Sequence, residues 1–354
     1  MIRHSGIGTY LRNLLPRIVE ARPSWRFTLL GPAAALGEVP GLHGSQVRLV
    51  DCDAPLYSVR EQIALPRRVP RSVDLYWTPH YVIPVLLRRP MLVTVQDVFH
   101  LAMPELVGGA ARRAYARLMF GAVQRRAARI LFTSEFTRAE FARLVGGSRA
   151  ASSVVPLGVD AGWSAAGAGA PRPLAEPYFL YVGNVKPHKN VAALVRAFVR
   201  VADRVPHHLA IVGRADGMRT GDDEVRRLVA ARPDRVHLVG EVSDEALAAW
   251  MRHADAFAFP SLYEGFGLPP LEAMAAGRPC LVARAASLPE VCGDAAVYCD
   301  PRREDDIAAR LAELATDPAL RDALRDRGHA RAAIYTWTRC AEGTIGVIEE
   351  TLAA

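Results

Sequence analysis

The segment best equipped for chemistry is PSLYEGFGLPPLEAMAAGRP, from Pro260 to Pro279, where Glu264 and Glu272 bracket Gly265, Phe266, Gly267 and Leu268. Pro269 and Pro270 suit the entry of a helix, whose first turn leaves backbone N–H groups unpaired. Such a turn can hold an anion or sugar hydroxyls. Its glycines let backbone approach a ligand closely, one carboxylate can order the turn or touch a sugar, and the other can accept both hydroxyls of a ribose diol. The same residues also fit a plain strand-to-helix turn with two solvated glutamates. Lys189, in PHKN, stands at a predicted helix start. A cation there opposes the helix dipole and calls for an anion nearby. A second glycine pair, Gly6-Ile7-Gly8, runs into an amphipathic stretch as phosphate loops do, but only Met1 to Ser5 precede it where a strand would normally stand.

Elements that could position these groups come in two series. The first is FTLLG from Phe27, VRLVD from Val47, VDLYWTP from Val73, MLVTVQD from Met91 and ILFTSE from Ile130. The second is YFLYVG from Tyr178, LAIVG from Leu209, VHLVG from Val236, AFAFPS from Ala256, CLVAR from Cys280 and AVYCD from Ala296. Helical stretches alternate with most of these runs, which predicts parallel sheets with crossovers. The Ala/Gly/Pro-rich residues 164–176 read as a linker between a first domain, 1–163, and a second, 177–335. Residues 336–354 read as a closing helix that returns toward the first domain. Two doubly wound sheets would face each other across a cleft at their strand carboxyl ends, where such sheets bind ligands. Asp97, Ser134, Asn184 and Glu264 all fall at strand ends. Thr137 and Glu140 have the spacing of a helix capping box.

Composition narrows the class. A chain of 354 residues with 51% hydrophobic content supports two cores. The formal charge of +7 suits an anionic partner such as a polyphosphate. No nucleic-acid-reading motif is present. The five cysteines form no CxxC pair, which fits a reduced, cytoplasmic protein. No His/Cys/Asp set has metal-ligand spacing, so neither metal nor cofactor is expected. Arg112, Arg113, Arg117, Arg125, Arg126 and Arg129 suit either a solvated face or a peripheral contact with an anionic membrane.

The Pro260–Pro279 segment resembles the Glu-x7-Glu signature of retaining GT-B glycosyltransferases of the family 4 type. YFLYVGNVKPHKNVAALVRAF, LAIVGR, VHLVGEVSDEALAAWMRHADAFAFPS and SLPEVCGDAAVYCDP follow in that family's order. GIGTYLRNLL, VTVQDVFHLAMPE, TSEFTRAEF and VVPLGVD resemble its acceptor-side domain, in the bacterial mannosyltransferase-like branch. The resemblance implies an α/β GT-B fold and transfer of a hexose, such as mannose from GDP-mannose, to a glycan or lipid-linked acceptor. It places Glu264, Lys189, Gln96 and Asp97 at the reacting centre. Lys189 would meet the donor diphosphate, Glu272 the ribose, and Glu264 with Gly265, Phe266, Gly267 and Leu268 the sugar and its phosphate. Gly240 and Glu241 would begin the nucleobase pocket, and Gly6 and Gly8 would offer N–H groups to the phosphate.

Two positions depart from the pattern. Asn184 stands where relatives often carry an arginine, with Lys186 or His188 as partial substitutes. Gln96 stands where many carry a histidine, and glutamine can hydrogen-bond but cannot exchange a proton. His100 is the nearest imidazole. The leaving phosphate would then take the acceptor proton. The departures keep open a nucleotide-sugar-binding protein with little catalysis. The strand expected before Gly6 would lie in the middle of the first sheet, which predicts a chain shortened at its start, with a gap or substitute strand beside Met91–Asp97.

Overall fold

The computed structural model describes residues 6–52, 54, 58–164, 166, 167, 169–214 and 222–354. These divide into two compact units, Met1–Gly158 with Trp337–Ala354, and Val159–Thr336. In the first unit the order is α1 (Gly6–Ala21), β1 (Phe27–Gly31), α2 (Ala33–Gly37), β2 (Val47–Asp51), α3 (Val59–Arg68), β3 (Tyr76–Thr78) and β4 (Met91–Val95). It continues with α4 (Phe99–Ala102), α5 (Ala110–Arg126), β5 (Arg129–Phe132), α6 (Glu135–Val145) and β6 (Ala151–Val154). The second unit holds β7 (Tyr178–Val182), α7 (Val191–Val201), β8 (His208–Val212), α8 (Asp222–Ala231), β9 (Val236–Gly240), α9 (Asp244–His253) and β10 (Ala256–Phe259). After these come α10 (Leu268–Ala275), β11 (Cys280–Ala283), α11 (Leu288–Cys292), β12 (Ala296–Cys299), α12 (Glu304–Thr316) and α13 (Pro318–Ala332), and α14 (Trp337–Ala353) completes the first unit.

The second unit is one parallel sheet in the order β12-β11-β10-β7-β8-β9. Its middle strands β7 and β10 are apolar on both faces, as strands covered by helices on both sides must be. Along α7, Val191, Leu194, Val195, Phe198 and Val201 recur at helical spacing and are buried against the sheet. The chain leaves β7 toward β8 and β9, then crosses back to β10. The direction of winding therefore reverses between β7 and β10, and a doubly wound sheet opens a crevice at such a point.

The first unit departs from expectation. Its strands form a two-stranded sheet, β1-β2, and a four-stranded sheet, β3-β4-β5-β6, all parallel. The expected gap beside Met91–Asp97 lies one strand further out. β4 is enclosed by β3 and β5, and among the described residues no ladder joins β3 to β1. The two sheets still share a core, since Trp77 of β3 packs with Phe27, Leu29, Val47 and Leu49 on the cluster around Leu15, Val19 and Leu42. Every residue of β1 remains half-buried. Residues 1–5, where the notional strand end was sought, lie outside the described set.

The units part at Gly158/Val159 and Thr336/Trp337, and residues 164–176, read above as a linker, follow the first of these points. Val159 bridges Thr336 in parallel, and its N–H donates to the Tyr335 carbonyl at 3.0 Å. Downstream, His253 Nε2 lies 3.0 Å from the Ala170 carbonyl, so composition alone hid the ties of this stretch to α9. The capping box is displaced as well. Ser134, not Thr137, caps α6, accepting the Thr137 N–H at 3.0 Å, and Glu140 pairs with Arg143 at 2.7 Å.

Helix α14 is integral to the first unit. Trp337 lies against Tyr10 with centroids 6.4 Å apart, and Glu349 and Glu350 pair with Arg22 and Arg129 at 2.8 and 2.7 Å. Trp337, Ile345, Val347 and Ile348 are buried. At ~1.5–3 kcal/mol each they contribute roughly 6–12 kcal/mol, comparable with a domain's whole net stability of about 5–15 kcal/mol. Ending the chain after Thr336 is therefore expected to abolish the cooperative unfolding of the first unit. Calorimetry should retain one transition, that of residues 159–336.

Candidate functional site

Three neighbouring strands of the second unit, β7, β8 and β9, each end in glycine: Gly183, Gly213 and Gly240, with φ of 148°, 139° and 84°. Their backbones close on one another, Gly183 N–H donating to Val212 at 2.9 Å and Gly213 N–H to Gly240 at 2.8 Å. A Cβ on Gly213 would stand 2.2 Å from the Gly183 carbonyl oxygen. The residues after these glycines, Asn184, Arg214 and Glu241, line one pocket of about 140 Å³ with Val242 and Leu247. Arg214 Nε donates to Glu241 Oε2 at 2.7 Å across it. The sequence reading named Asn184, Gly240 and Glu241 but missed Gly213 and Arg214. The signal was available in the repeated Val-Gly that ends all three runs.

The loops after β7 and β10 flank the point where the winding reverses, and a salt bridge spans them. Lys189 Nζ lies 2.6 Å from Glu264 Oε1, with the two side chains 18% and 12% exposed. The ammonium also sits 5.2 Å from the Phe259 ring centroid. Backbone holds the pair in place. Asn190, at φ 62°, donates from Nδ2 to the carbonyls of Pro260 and Pro301 at 3.1 and 2.7 Å, and Leu262 N–H donates to the His188 carbonyl at 2.7 Å. On the other side, buried Ser287 donates to the carbonyls of Glu264 and Phe266 at 2.9 and 2.7 Å. The loop is therefore fixed without using the Glu264 carboxylate, whose partner is Lys189.

Helix α10 begins at Leu268 with Pro269 and Pro270 in its first turn. Its cap, Gly267, has φ 108°, and a Cβ there would press to 2.7 Å from Leu288 Cδ2. Prolines carry no N–H, so among the first three residues of that turn only Leu268 offers one, next to Glu264, Gly265 and Phe266 in the chain. One turn on, Glu272 has a different environment from Glu264. Burial first, and the nearby Asp244 carboxylate second, push it up to about 7. An ion-paired carboxylate and a desolvated one thus lie at the two ends of one short segment.

The first unit holds the other nominated residues. Gly6 and Gly8 lie in the first turn of α1, helical from Gly6 onward. Gln96 and Asp97 follow β4, where Gln96 Nε2 donates to the Pro79 carbonyl at 3.3 Å and Asp97 Oδ1 accepts from the Phe99 N–H at 2.9 Å. Thr133 hydroxyl donates to the Gln96 carbonyl at 3.0 Å, tying the ends of β4 and β5. His100 lies 3.4 Å from the Tyr81 hydroxyl, inside an aromatic group with Phe120. The structure therefore gathers Asn184, Lys189, Gly240, Glu241, Glu264 to Leu268 and Glu272 in one unit, and Gly6, Gly8, Gln96 and Asp97 in the other.

Comparison with known proteins gives several similarities. Residues 176–317 match the family model of the Glycosyl transferases group 1. Over 96% of its length, and 95% of the relative's, the chain is 27% identical to the O-antigen chain mannosyltransferase B of Escherichia coli. Among solved structures, sucrose-phosphate synthase from Thermosynechococcus elongatus superposes with a TM-score of 0.80 at 21% identity, covering 99% of this chain and 94% of that one. Anabaena HepE in complex with UDP-glucose gives 0.78 at 17% identity, covering 99% and 97%.

Two outcomes test the site's electrostatics. Lys189→Met leaves the Glu264 carboxylate without its partner, and should destabilise the second unit by about 2–3 kcal/mol, with part recovered in Lys189→Met/Glu264→Gln by denaturant unfolding. Glu272 binds its proton more tightly folded than unfolded. Its contribution is therefore complete below the ordinary carboxylate range and is lost as pH rises toward and through about 7. Glu272→Gln should remove that slope and gain about 1–3 kcal/mol over the native chain at pH 8 relative to pH 4.

Proposed function

We propose that this chain, a GT4-like glycosyltransferase of GT-B fold, moves a mannosyl group from GDP-mannose to a glycan or lipid-linked acceptor with retention of configuration. The observation that carries the reading is the Lys189–Glu264 pair at the point of reversed winding, beside the first turn of α10 and the glycine-ended pocket. The donor's diphosphate would meet Lys189 and the Leu268 N–H of that turn, which offset charge as the sugar departs. The Glu272 carboxylate, once ionised, would accept the ribose hydroxyls. Glu264, released in part from Lys189 by the diphosphate, would accept hydroxyls of the sugar.

Base choice follows from Glu241 at the pocket. Guanine presents adjacent N–H donors that a carboxylate can accept in a fork, whereas uracil presents one N–H between two carbonyls. That favours GDP over UDP. The mannosyl assignment is supported by the Escherichia coli relative that matches nearly the whole chain.

In the transfer step the bond from the anomeric carbon to the diphosphate oxygen breaks. The acceptor oxygen bonds that carbon on the same face, and its proton passes to the leaving diphosphate. Gln96 can orient an acceptor hydroxyl through its amide while taking no proton. Asp97, held by the Phe99 N–H, can accept a hydrogen bond from the same substrate.

The test is a titration with GDP-mannose, UDP-glucose and UDP-N-acetylglucosamine, with nucleotide release followed in parallel. GDP-mannose is expected to bind most tightly and to release GDP, with both signals lost in Glu272→Ala. Glu241→Ala should narrow the GDP-over-UDP preference by about tenfold, equivalent to roughly 1.4 kcal/mol. Tighter binding of UDP-glucose, with GDP-mannose inert, would sink the donor assignment.

A further inference from the structure

The arginines of residues 112–129 do not act as one face. Arg129 is tied to Glu350 at 2.7 Å, and Arg126 donates to the Leu87 carbonyl at 3.0 Å. Arg117 and Arg125 are different. Both are exposed, neither has an acidic partner among the described residues, and both line a cavity of about 330 Å³ set among α4, α5 and α6. Leu101 and Leu144, both half-buried, supply its apolar wall.

Gly121 explains how the two charges meet. A Cβ there would lie 3.2 Å from Arg125 Nη1 and 3.5 Å from Nη2, so the guanidinium folds back one helical turn over the glycine. Arg117 precedes Gly121 by four residues, about 6 Å along the helix axis. Two cations therefore converge on one opening. No carboxylate offsets them locally: α5 contains no acid, and Glu135 and Glu140 of α6 are held by Arg138 and Arg143 at 2.5 and 2.7 Å. The opening thus combines two positive charges with an apolar wall.

We infer that this pocket binds the phosphate of an alkyl phosphate ester, the anionic end of a lipid-linked acceptor. Guanidinium groups match phosphate oxygens in paired hydrogen bonds, and the wall of Leu101 and Leu144 takes the first carbons of the chain. Leu101 belongs to α4, which starts two residues after Asp97, so the bound phosphate anchors the acceptor on the helix that follows the β4 loop. The assignment to an acceptor rests on the transferase reading above. The pocket's ligand chemistry does not.

The experiment titrates the full chain with octyl phosphate, inorganic phosphate and octyl glucoside by calorimetry, with GDP as a parallel ligand for the other unit. Octyl phosphate is expected to bind at least tenfold more tightly than either of the other two probes. Arg117→Gln and Arg125→Gln should each weaken it at least tenfold and leave GDP binding unchanged. Arg125→Lys is the sharper variant, because it keeps the charge while removing the paired guanidinium donors, and it should weaken octyl phosphate binding too. Octyl phosphate binding that survives Arg117→Gln and Arg125→Gln would overturn the site. Equal affinity for inorganic phosphate would overturn the alkyl ester. Phosphatidylglycerol vesicles separate the sources: sedimentation unaffected by Arg125→Lys supports the acceptor, and sedimentation lost with it makes the ligand a bilayer headgroup and overturns that assignment. A native chain that binds octyl phosphate but no nucleotide sugar would remove the transferase reading and keep the pocket.

Discussion

The closest backbone approach in the second unit sets what the rest of it can present. With 2.2 Å between a notional Cβ on Gly213 and the Gly183 carbonyl, no side chain fits at the end of β8. The ladder can then run to the last residue of β7, β8 and β9, and the chain turns away from all three at nearly one level. Asn184, Arg214 and Glu241 consequently emerge side by side at one pocket, though 30 and 27 residues separate them in sequence. Local turn chemistry has become spatial convergence. Larger residues at these ends would splay the strands and disperse the polar groups.

Charge is arranged on the same frame with two distinct settings. Glu264 has a cation within 2.6 Å and remains an acceptor whose strength depends on what else Lys189 touches. Glu272 has no such partner among the described residues, and burial pushes it up to about 7, so neutral and ionised forms coexist at pH 7. An anion that competed for the lysine would change the first. The second changes only if hydrogen-bond donors or solvent stabilise its ionised form. Two like residues of one segment therefore stand in two electrostatic settings, and the difference comes from packing and pairing alone.

Much of this was legible in the sequence because it is local. Every strand of the second unit coincides with an apolar run ending in a turn residue, since a strand covered on both faces must be apolar throughout. Ala151–Val154 escaped notice for the opposite reason. It is an edge strand with two exposed residues, and its sequence, ASSV, carries no apolar run. The short β3 was over-read from Val73, because VDLYWTP is apolar at more positions than the three that pair. At the site, Lys189, Glu264 and Glu272 stood out by type and spacing. Arg214 did not, because its relation to Asn184 exists only through strand pairing, and nothing in LAIVGR marks its arginine as facing Glu241.

Among its described residues, the first unit holds in one core elements that no ladder connects. Trp77 belongs to the β3 edge by hydrogen bonding and to the β1-β2 cluster by packing, while its indole N–H donates to Thr94 at 2.9 Å. Hydrophobic contact is non-directional and tolerates a missing strand pairing. Backbone N–H and C=O groups do not, and the half-buried state of all five residues of β1 records that difference. Cohesion then falls more heavily on the helices. Helix α1 packs against α14, whose acids bind Arg22 on one side and Arg129 beside the four-stranded sheet on the other. A chain segment more than 300 residues from α1 in sequence thereby ties together two sheets that share a core without sharing an edge.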